Sequence, residues 1–494
     1  MGSADLKHND GAPERRVAQE GVGGKQAPGD AGAGAPGAAA GPRPSGRRRG
    51  PTEGPDEEGV VAALTHEGEG VVRSGKTVFV AGALPGERIV FRRARRHRQH
   101  DEGRLVQLIE PATDRAQPRC AHFGVCGGCA LQHLAPESQL AAKETELRDN
   151  LERVARAMPD EWLAPLRGPV WNYRRRARLG AKYVAKKGRV VVGFRERLSP
   201  YVAALDRCEV LASPADALIS PLSEMLTTLD IRERLPQIEV AVADDAVALV
   251  MRVLAAPSES DLATFRAFEQ SHRVRIYLQP AGLDSVHRLP ADAAAPEAPL
   301  TYGLPAFDLT LEFLPTDFIQ INGAINQALV TRAVQLLAPG PDDAVLDLYC
   351  GLGNFTLALA RRAARVTGVE GDRALVQRAA ANALRNGIQN AEFHVADLSQ
   401  ATAGAAQWAN SAFPYILLDP PRAGAREMLP TVARLAPKRV LYISCHPGSL
   451  ARDIGLLVHE YGFGLRAAGV LDMFPHTTHV ESIAVLEPAT SARS

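Results

Sequence analysis

Between Ala344 and Cys445 the chain repeats one pattern: a short apolar run ends on a polar residue, and a helical interval follows. The runs are Ala344–Asp347, Arg365–Glu370, Ala391–Asp397, Tyr415–Asp419 and Leu441–Cys445. Strands alternating with helices make a parallel, doubly wound sheet, whose ligands sit at the carboxyl ends of the strands. This predicts an α/β, Rossmann-like half for residues 305–494. Leu465–Leu471 and Ser482–Leu486 are expected to close its sheet as an antiparallel pair. A helical region is expected to begin at Phe318–Asn322 and run to about Leu337.

The polar ends define what this edge can hold. The first run leads into Cys350-Gly351-Leu-Gly353-Asn354, where glycines allow close approach of a cofactor. A third fingerprint glycine is absent and no Walker lysine follows, which argues against a dinucleotide or a nucleoside triphosphate. Glu370 lies 17 residues beyond Gly353, placed to accept both hydroxyls of a ribose. Asp397 is placed to receive an adenine amino group. Together these ends point to S-adenosylmethionine. Cys445 closes the last run, before His446 and Pro447. A lone strand-end cysteine is ordinarily an inert small hydrophobe. Beside a cofactor edge it reads as a nucleophile.

The 494 residues fit about three domains, and a hydrophobic content of 46% is ample for their cores. A net charge of +1 gives no global basic signal, so any nucleic-acid surface is local. No run reaches the ~18 apolar residues of a membrane span, and the N-terminus lacks an apolar signal core. The expected location is the cytoplasm. Residues 1–53, rich in Gly, Ala and Pro, are expected to form a disordered tail. Within residues 54–112, five short β-like runs (Val60–Leu64, Gly70–Val72, Thr77–Val80, Arg88–Phe91, Leu105–Ile109) predict a small OB-like barrel. Its arginine run, Arg92, Arg93, Arg95, Arg96 and Arg98, is a candidate RNA contact.

Residues 113–304 read as a central α+β domain. Six cysteines are too few for a disulfide scaffold, yet Cys120, Cys126 and Cys129 are spaced C-x5-C-x2-C, and Cys208 follows 79 residues later. Four thiolates suit tetrahedral zinc or a [4Fe–4S] cluster, and spacing does not decide between them. Pro136–Ala157 has helical spacing, and Trp171–Arg178 leads into a strand with one basic face, a candidate phosphate-tracking surface. Val240–Val253 reads as a hairpin, Val274–Gln279 as a strand and 280–299 as a surface loop.

Glu67–Val71, Val78–Val80 and Leu84–Glu87 resemble a TRAM domain, an RNA-binding barrel. Cys120–Cys129, Asp347–Phe355, Asp419–Gly424, Ser444–Pro447 and Phe474–Glu481 together resemble the RNA uracil-C5 methyltransferases, over about residues 57–487. The resemblance implies a [4Fe–4S] cluster on Cys120, Cys126, Cys129 and Cys208. It implies cofactor contacts at Gln320, Tyr349, Asn354, Glu370, Asp397 and Asp419, a nucleophile at Cys445 and a general base at Glu481. Asp419 is expected beside the target ring. Barrel and cysteines together imply a flipped uridine of 23S rRNA as substrate and a monomeric enzyme; the plain tRNA type typically lacks both features. His446 stands where the family often has Asn or Asp. Two rivals remain. A cytosine-C5 methyltransferase on DNA places its cysteine after a proline, which neither Cys350 nor Cys445 follows. A noncatalytic, metal-stabilised RNA-binding protein would not need the ordered cofactor ends.

Overall fold

The computed structural model describes residues 54–197, 199–289, 298–400 and 406–489. The N-terminal tail of the sequence reading lies outside them, as does much of the 280–299 loop. The chain is multidomain, with an N-terminal barrel and a C-terminal Rossmann-like domain.

Strands Asp56–Leu64, Glu69–Ser74, Lys76–Ala81, Arg88–Arg96 and Asp101–Glu110 close into a barrel in the order first, second, third, fifth, fourth. Alternation puts Val61, Val72, Val78, Val80, Ile89 and Phe91 inside. The five runs expected from the sequence are these five strands. Their ends differ because the charged residues that mask apolar alternation still pair in the ladder.

The central sheet has six strands, in the order His287–Arg288, Val274–Gln279, Val247–Arg252, Gln237–Val242, Arg176–Val184, Arg189–Gly193. The expected hairpin is the antiparallel pair Gln237–Val242 and Val247–Arg252. Ile219–Thr228 and Glu259–His272 supply helices beside it. The strand expected after the Trp171–Arg178 motif is Arg176–Val184, and the motif's first residues lie outside it. Asn172 takes a left-handed backbone (φ 52°) and its side chain donates to the Leu211 carbonyl, so the chain turns there instead of extending.

The C-terminal sheet has eight strands. Five are parallel, in the order Ala391–Val395, Arg365–Glu370, Ala344–Leu348, Tyr415–Leu418, Arg439–Ser444. Glu481–Pro488 and Phe463–Leu471 continue it antiparallel, as expected. The order reverses direction between Ala344–Leu348 and Tyr415–Leu418, which opens a crevice at their carboxyl ends. The helix preceding the sheet spans Gly323–Leu337, not Phe318 onward. Asn322 caps it, its Oδ1 accepting the Ile325 N–H at 3.2 Å.

Two elements of the eight-stranded core come from far upstream. Glu161–Trp162 forms the eighth strand, parallel to Phe463–Leu471. Helix Pro136–Asn150 runs into a wider π turn, Leu151–Ala155, which Arg156 ends in a left-handed conformation. Leu140, Leu147 and Leu151 bury in the core that holds Tyr442 and Ile454.

Candidate active site

The crevice is built by strand ends. Asp347 is completely buried; Thr356 donates to its Oδ2 at 2.5 Å, and burial pushes its carboxyl up to about 7. The following turn uses left-handed backbone at Tyr349 (φ 67°), Gly351 (56°) and Gly353 (94°). Tyr349 and Cys350 donate their N–H groups to the Val369 carbonyl at 2.9 and 3.1 Å, tying the turn to the next strand. Glu370 accepts N–H groups of Gly351, Gly371 and Asp372 at 3.2, 2.6 and 3.0 Å. This fixes its carboxylate at the strand end. Asp397 is exposed, and hydrogen bonds from Ser399 hold its carboxyl below the usual range. Burial raises the Tyr349 phenol, which donates to the Leu398 carbonyl at 3.4 Å.

Two expected cofactor contacts have other commitments in the ligand-free arrangement. Asn354 exchanges paired amide hydrogen bonds with Asn326 at 2.9 and 3.0 Å and also accepts from the Tyr302 hydroxyl. Gln320 lines a small pocket with Tyr302 and Asn326, so it joins the same polar corner.

Cys445, Glu481 and Asp419 meet at the crevice because of strand register. Ser444 pairs with Ser482, and the Ser482 hydroxyl donates to the Ser444 carbonyl at 3.3 Å. One residue beyond that pair, the antiparallel strands bring Cys445 and Glu481 to the same rung. Asp419 ends the strand next to them. Burial pushes Glu481 up to about 8, with the Asp419 charge adding to it. Asp419 keeps part of its surface open to the crevice, but the surrounding protein still withdraws enough water to raise it to about 7. The half-buried Cys445 thiol is pushed up to about 11, first by burial, then by Glu481 and Asp419, with Arg422 opposing. The exposed Arg422 lies 3.4 Å from His479 Nδ1. His446 acquires a role of its own. It caps helix Pro447–His459, its Nδ1 accepting the Ser449 N–H at 3.1 Å.

The turn that carries Glu481 is pinned by Lys143 and Gln139, which the sequence did not mark, and by Trp171 and Tyr173, which belong to the motif expected to track phosphates and instead face this turn. Lys143, almost completely buried, donates to Asp472 at 2.8 Å and to the Phe474 carbonyl at 2.9 Å. Tyr173 donates to the Pro475 carbonyl, and Gln139 accepts the His476 N–H at 2.8 Å. The His476 ring stacks on Trp171 with centroids 3.9 Å apart. Its carbonyl accepts the N–H groups of Ala130 and Leu131, next to the cysteine cluster. Buried polar residues on one helix face were the available sequence signal.

Cys120, Cys126, Cys129 and Cys208 line one small cavity. All four are free thiols, and burial pushes Cys126 up to about 11 and Cys129 to about 12. Gly128 suits this cradle: its N–H points at Cys126 Sγ, 3.4 Å away. Among the described residues no three or more His, Cys, Asp or Glu side chains converge as a site for a single metal ion. The arginine runs are largely neutralised. Arg92 pairs with Asp56, Arg93 with Glu57 and Asp101, and Arg95 with Glu102. Arg175 pairs with Asp244, and Arg176 and Arg178 with Glu239.

Sheet order, crevice and acidic strand ends define a Rossmann-like methyltransferase. The sequence model of the family described as tRNA (Uracil-5-)-methyltransferase matches residues 307–489. The 23S rRNA (uracil(1939)-C(5))-methyltransferase RlmD of Alkalilimnicola ehrlichii is 48% identical over 89% of this chain and 98% of its own. The protein of the same name from Methylococcus capsulatus is 47% identical over 86% of this chain and 96% of its own. The chain belongs to the RNA uracil-C5 methyltransferase family. The fold agrees. The tRNA (uracil-54, C5)-methyltransferase of Pyrococcus abyssi, solved with S-adenosyl-L-homocysteine, superposes with a TM-score of 0.66 at 23% identity, covering 87% of this chain and 100% of that one.

Proposed function

We propose that this enzyme methylates C5 of a specific uridine in 23S rRNA through a covalent bond between Cys445 and C6 of the base. The observation that carries the reading is the register that sets Cys445 beside Glu481 and Asp419 at the cofactor crevice. The relatives named for 23S rRNA support the substrate.

Uracil C5 is a weak nucleophile. The Cys445 thiolate forms a bond to C6, and the C5–C6 π electrons move to C5 and O4 as an enolate. S-adenosylmethionine, when bound, supplies an electrophilic sulfonium methyl for C5; Glu370 and Asp397 are placed for its ribose and adenine, and Asp347 supports the turn beneath it. Tyr349, Asn354 and Gln320 complete the assigned cofactor wall. Glu481 then takes the C5 proton, the C5–C6 double bond re-forms, and the C6–S bond breaks to release the thiolate. A carboxyl pushed up to about 8 is a strong base once ionised. Asp419 faces the uracil edge, and Arg422 favours the thiolate. The uridine must leave its stack to reach the sulfur. Ribosomal RNA places the reaction in the cytoplasm, and one copy of the chain supplies every group named.

We assign Cys120, Cys126, Cys129 and Cys208 to a [4Fe–4S] cluster. Four thiols around one cavity fit such a group. Bound there, it supplies iron–thiolate bonds that tie residues 120–129 to Cys208. In the barrel, the reading keeps the RNA-binding TRAM assignment.

Cys445→Ala is expected to abolish methylation and the covalent RNA adduct while cofactor binding survives; retained turnover excludes Cys445 as the nucleophile. Glu481→Gln should accumulate methylated RNA bound to the enzyme. Mass mapping of methylated uridines in 23S rRNA, from cells with and without the gene, tests the substrate. An unchanged map refutes it.

A further inference from the structure

The two arginine runs most visible in the sequence are mostly spent on internal ion pairs. Arg96 and Arg98, exposed at the end of the barrel run, keep their charge, and a second set of free cations lies in the central domain. An open groove crosses the central sheet beside the cysteine cavity, lined by Arg178, Lys182, Lys187, Arg195, Arg197 and Tyr201. Glu196 is its one acidic lining residue. Arg178 is held by Glu239 at 2.9 Å. Among the described residues, the side chains of Lys182, Lys187 and Arg197 have no ion-pair or hydrogen-bond partner, although Arg197 feels the charge of Glu69 in the barrel. Tyr201 is 71% exposed, an unusual state for a large aromatic side chain in a groove.

The groove connects to the active site through a short backbone path. Gly127 donates its N–H to the Arg195 carbonyl at 2.8 Å, and Arg197 donates to the Val125 carbonyl at 3.0 Å. Three residues after Gly127, Ala130 donates to the His476 carbonyl at 2.9 Å, in the turn that leads to Glu481. Three residues span at most ~11 Å, so the groove wall and the catalytic turn are held by opposite ends of one short segment. Gly128 and Phe194 line both the groove and the cysteine cavity.

We propose that this groove holds the single-stranded RNA flanking the target uridine, with Lys182, Lys187 and Arg197 on its phosphates and Tyr201 stacked on an unpaired base. Free cations with an exposed aromatic form the combination that tracks a strand without reading its sequence. Gly127 and Gly128 of the cysteine loop thereby form part of the floor of the RNA site. The inference rests on the RNA-methylating reading of the active site.

The test uses the full-length, cluster-loaded enzyme and a 23S rRNA fragment containing the methylated uridine, with binding followed against salt. Lys182→Gln/Lys187→Gln is expected to reduce the slope of log affinity against log salt by about 1.4, two single-strand phosphate contacts at ~0.7 each. Lys182→Glu/Lys187→Glu should weaken binding more than ten-fold at low salt. Tyr201→Ala should lower affinity and leave the slope unchanged. All three variants should bind S-adenosylmethionine as the parent does, which shows that they are folded. Arg92→Gln, in the already neutralised barrel run, should change the slope less than either lysine pair. If the lysine and tyrosine variants keep parental affinity and slope while the parent methylates the fragment, the groove proposal is wrong and the active-site reading stands. If the parent itself neither binds nor methylates the fragment, the active-site reading fails, and the groove assignment falls with it.

Discussion

The buried pair Lys143–Asp472 gives the sharpest test of how the catalytic turn is held. Lys143 lies on helix Pro136–Asn150 and Asp472 follows strand Phe463–Leu471, so the pair joins two parts of the chain far apart in sequence. Both side chains are nearly dry, at 2% and 10% exposure. Burial pulls the Lys143 ammonium below its ordinary value, and the Asp472 charge opposes that pull. Lys143→Met removes the cation but roughly keeps its volume, leaving Asp472 buried without a partner. Breaking a buried pair in this way costs about 3–5 kcal/mol, against about 5–15 kcal/mol for a whole domain. Lys143→Met/Asp472→Leu removes the stranded charge and should regain most of that loss, since an apolar pair of similar size is often neutral or better. The Phe474 carbonyl loses its Lys143 donor in both variants, worth about 1 kcal/mol. The turn at Phe474, seven residues before Glu481, is then looser even where stability is restored. Urea unfolding should therefore show a large loss for the single variant and a small one for the double. Quenched single-turnover gels should show slow decay of the RNA adduct in both. A single-variant loss under about 1 kcal/mol would refute the energetic reasoning. Parental adduct decay in the double variant would refute the link from this pair to Glu481.

Three further expectations follow from the site. Glu481 is raised to about 8 and Asp419 to about 7, so the folded ligand-free enzyme binds these protons more tightly than the unfolded chain does. Their stabilisation is full below the unfolded carboxyl values near ~4 and is lost as pH rises through about 7 to 8. Thermal midpoints of the parent should fall relative to Glu481→Gln between pH 5 and 8; a parent that gains on the variant contradicts the sign. His446→Ala should cost about 1 kcal/mol through loss of the helix cap, with adduct formation retained and most of the loss recovered by His446→Asn; denaturation and adduct gels check both. Glu370→Ala removes the acceptor of three backbone N–H groups and the carboxylate we assign to the ribose. Calorimetry should show S-adenosylmethionine affinity lowered at least ten-fold with RNA binding intact, and unchanged affinity would exclude the ribose assignment.

The barrel and the C-terminal sheet were legible because their strands are local events. A period-2 run in the barrel or an apolar run ending on an acid declares itself within a few residues. The acids at 347, 370, 397 and 419 therefore fell at the crevice edge. Elements whose cause lies far away were not legible. Glu161–Trp162 is two residues long and is a strand only because Ala467 and Ala468 offer it an edge. The arginine runs read as free charge, but their partners arrive by strand pairing: Asp56 lies opposite Arg92 in the barrel ladder, 36 residues away. The pinning of His476 was hidden for the same reason, since Gln139 and Trp171 reach it from hundreds of residues upstream.

Register explains why so much of the chain is spent on holding one turn. Cys445 and Glu481 come from neighbouring antiparallel strands, and side chains on such strands alternate faces with period 2. A slip of one residue would present Ser482 or Val480 to the thiol and turn the carboxylate away. The hydrogen-bond ladder resists a slip along Val440–Ser444, where the pairing with Ser482–Leu486 is continuous. On the other side Glu481 pairs with Leu471, and that ladder is continuous back to Ala467, its one irregularity lying farther off between Leu465 and Ala467. The connection from Asp472 to Val480 then has nine residues in which an error of register can arise. Lys143, Tyr173 and Gln139 grip it at Asp472, Phe474, Pro475 and His476. Those contacts hold the loop path before it re-enters the sheet at Glu481. Glu481, the base we propose, is therefore positioned from two sides, by the ladder behind it and by the upstream helix and cysteine loop in front of it.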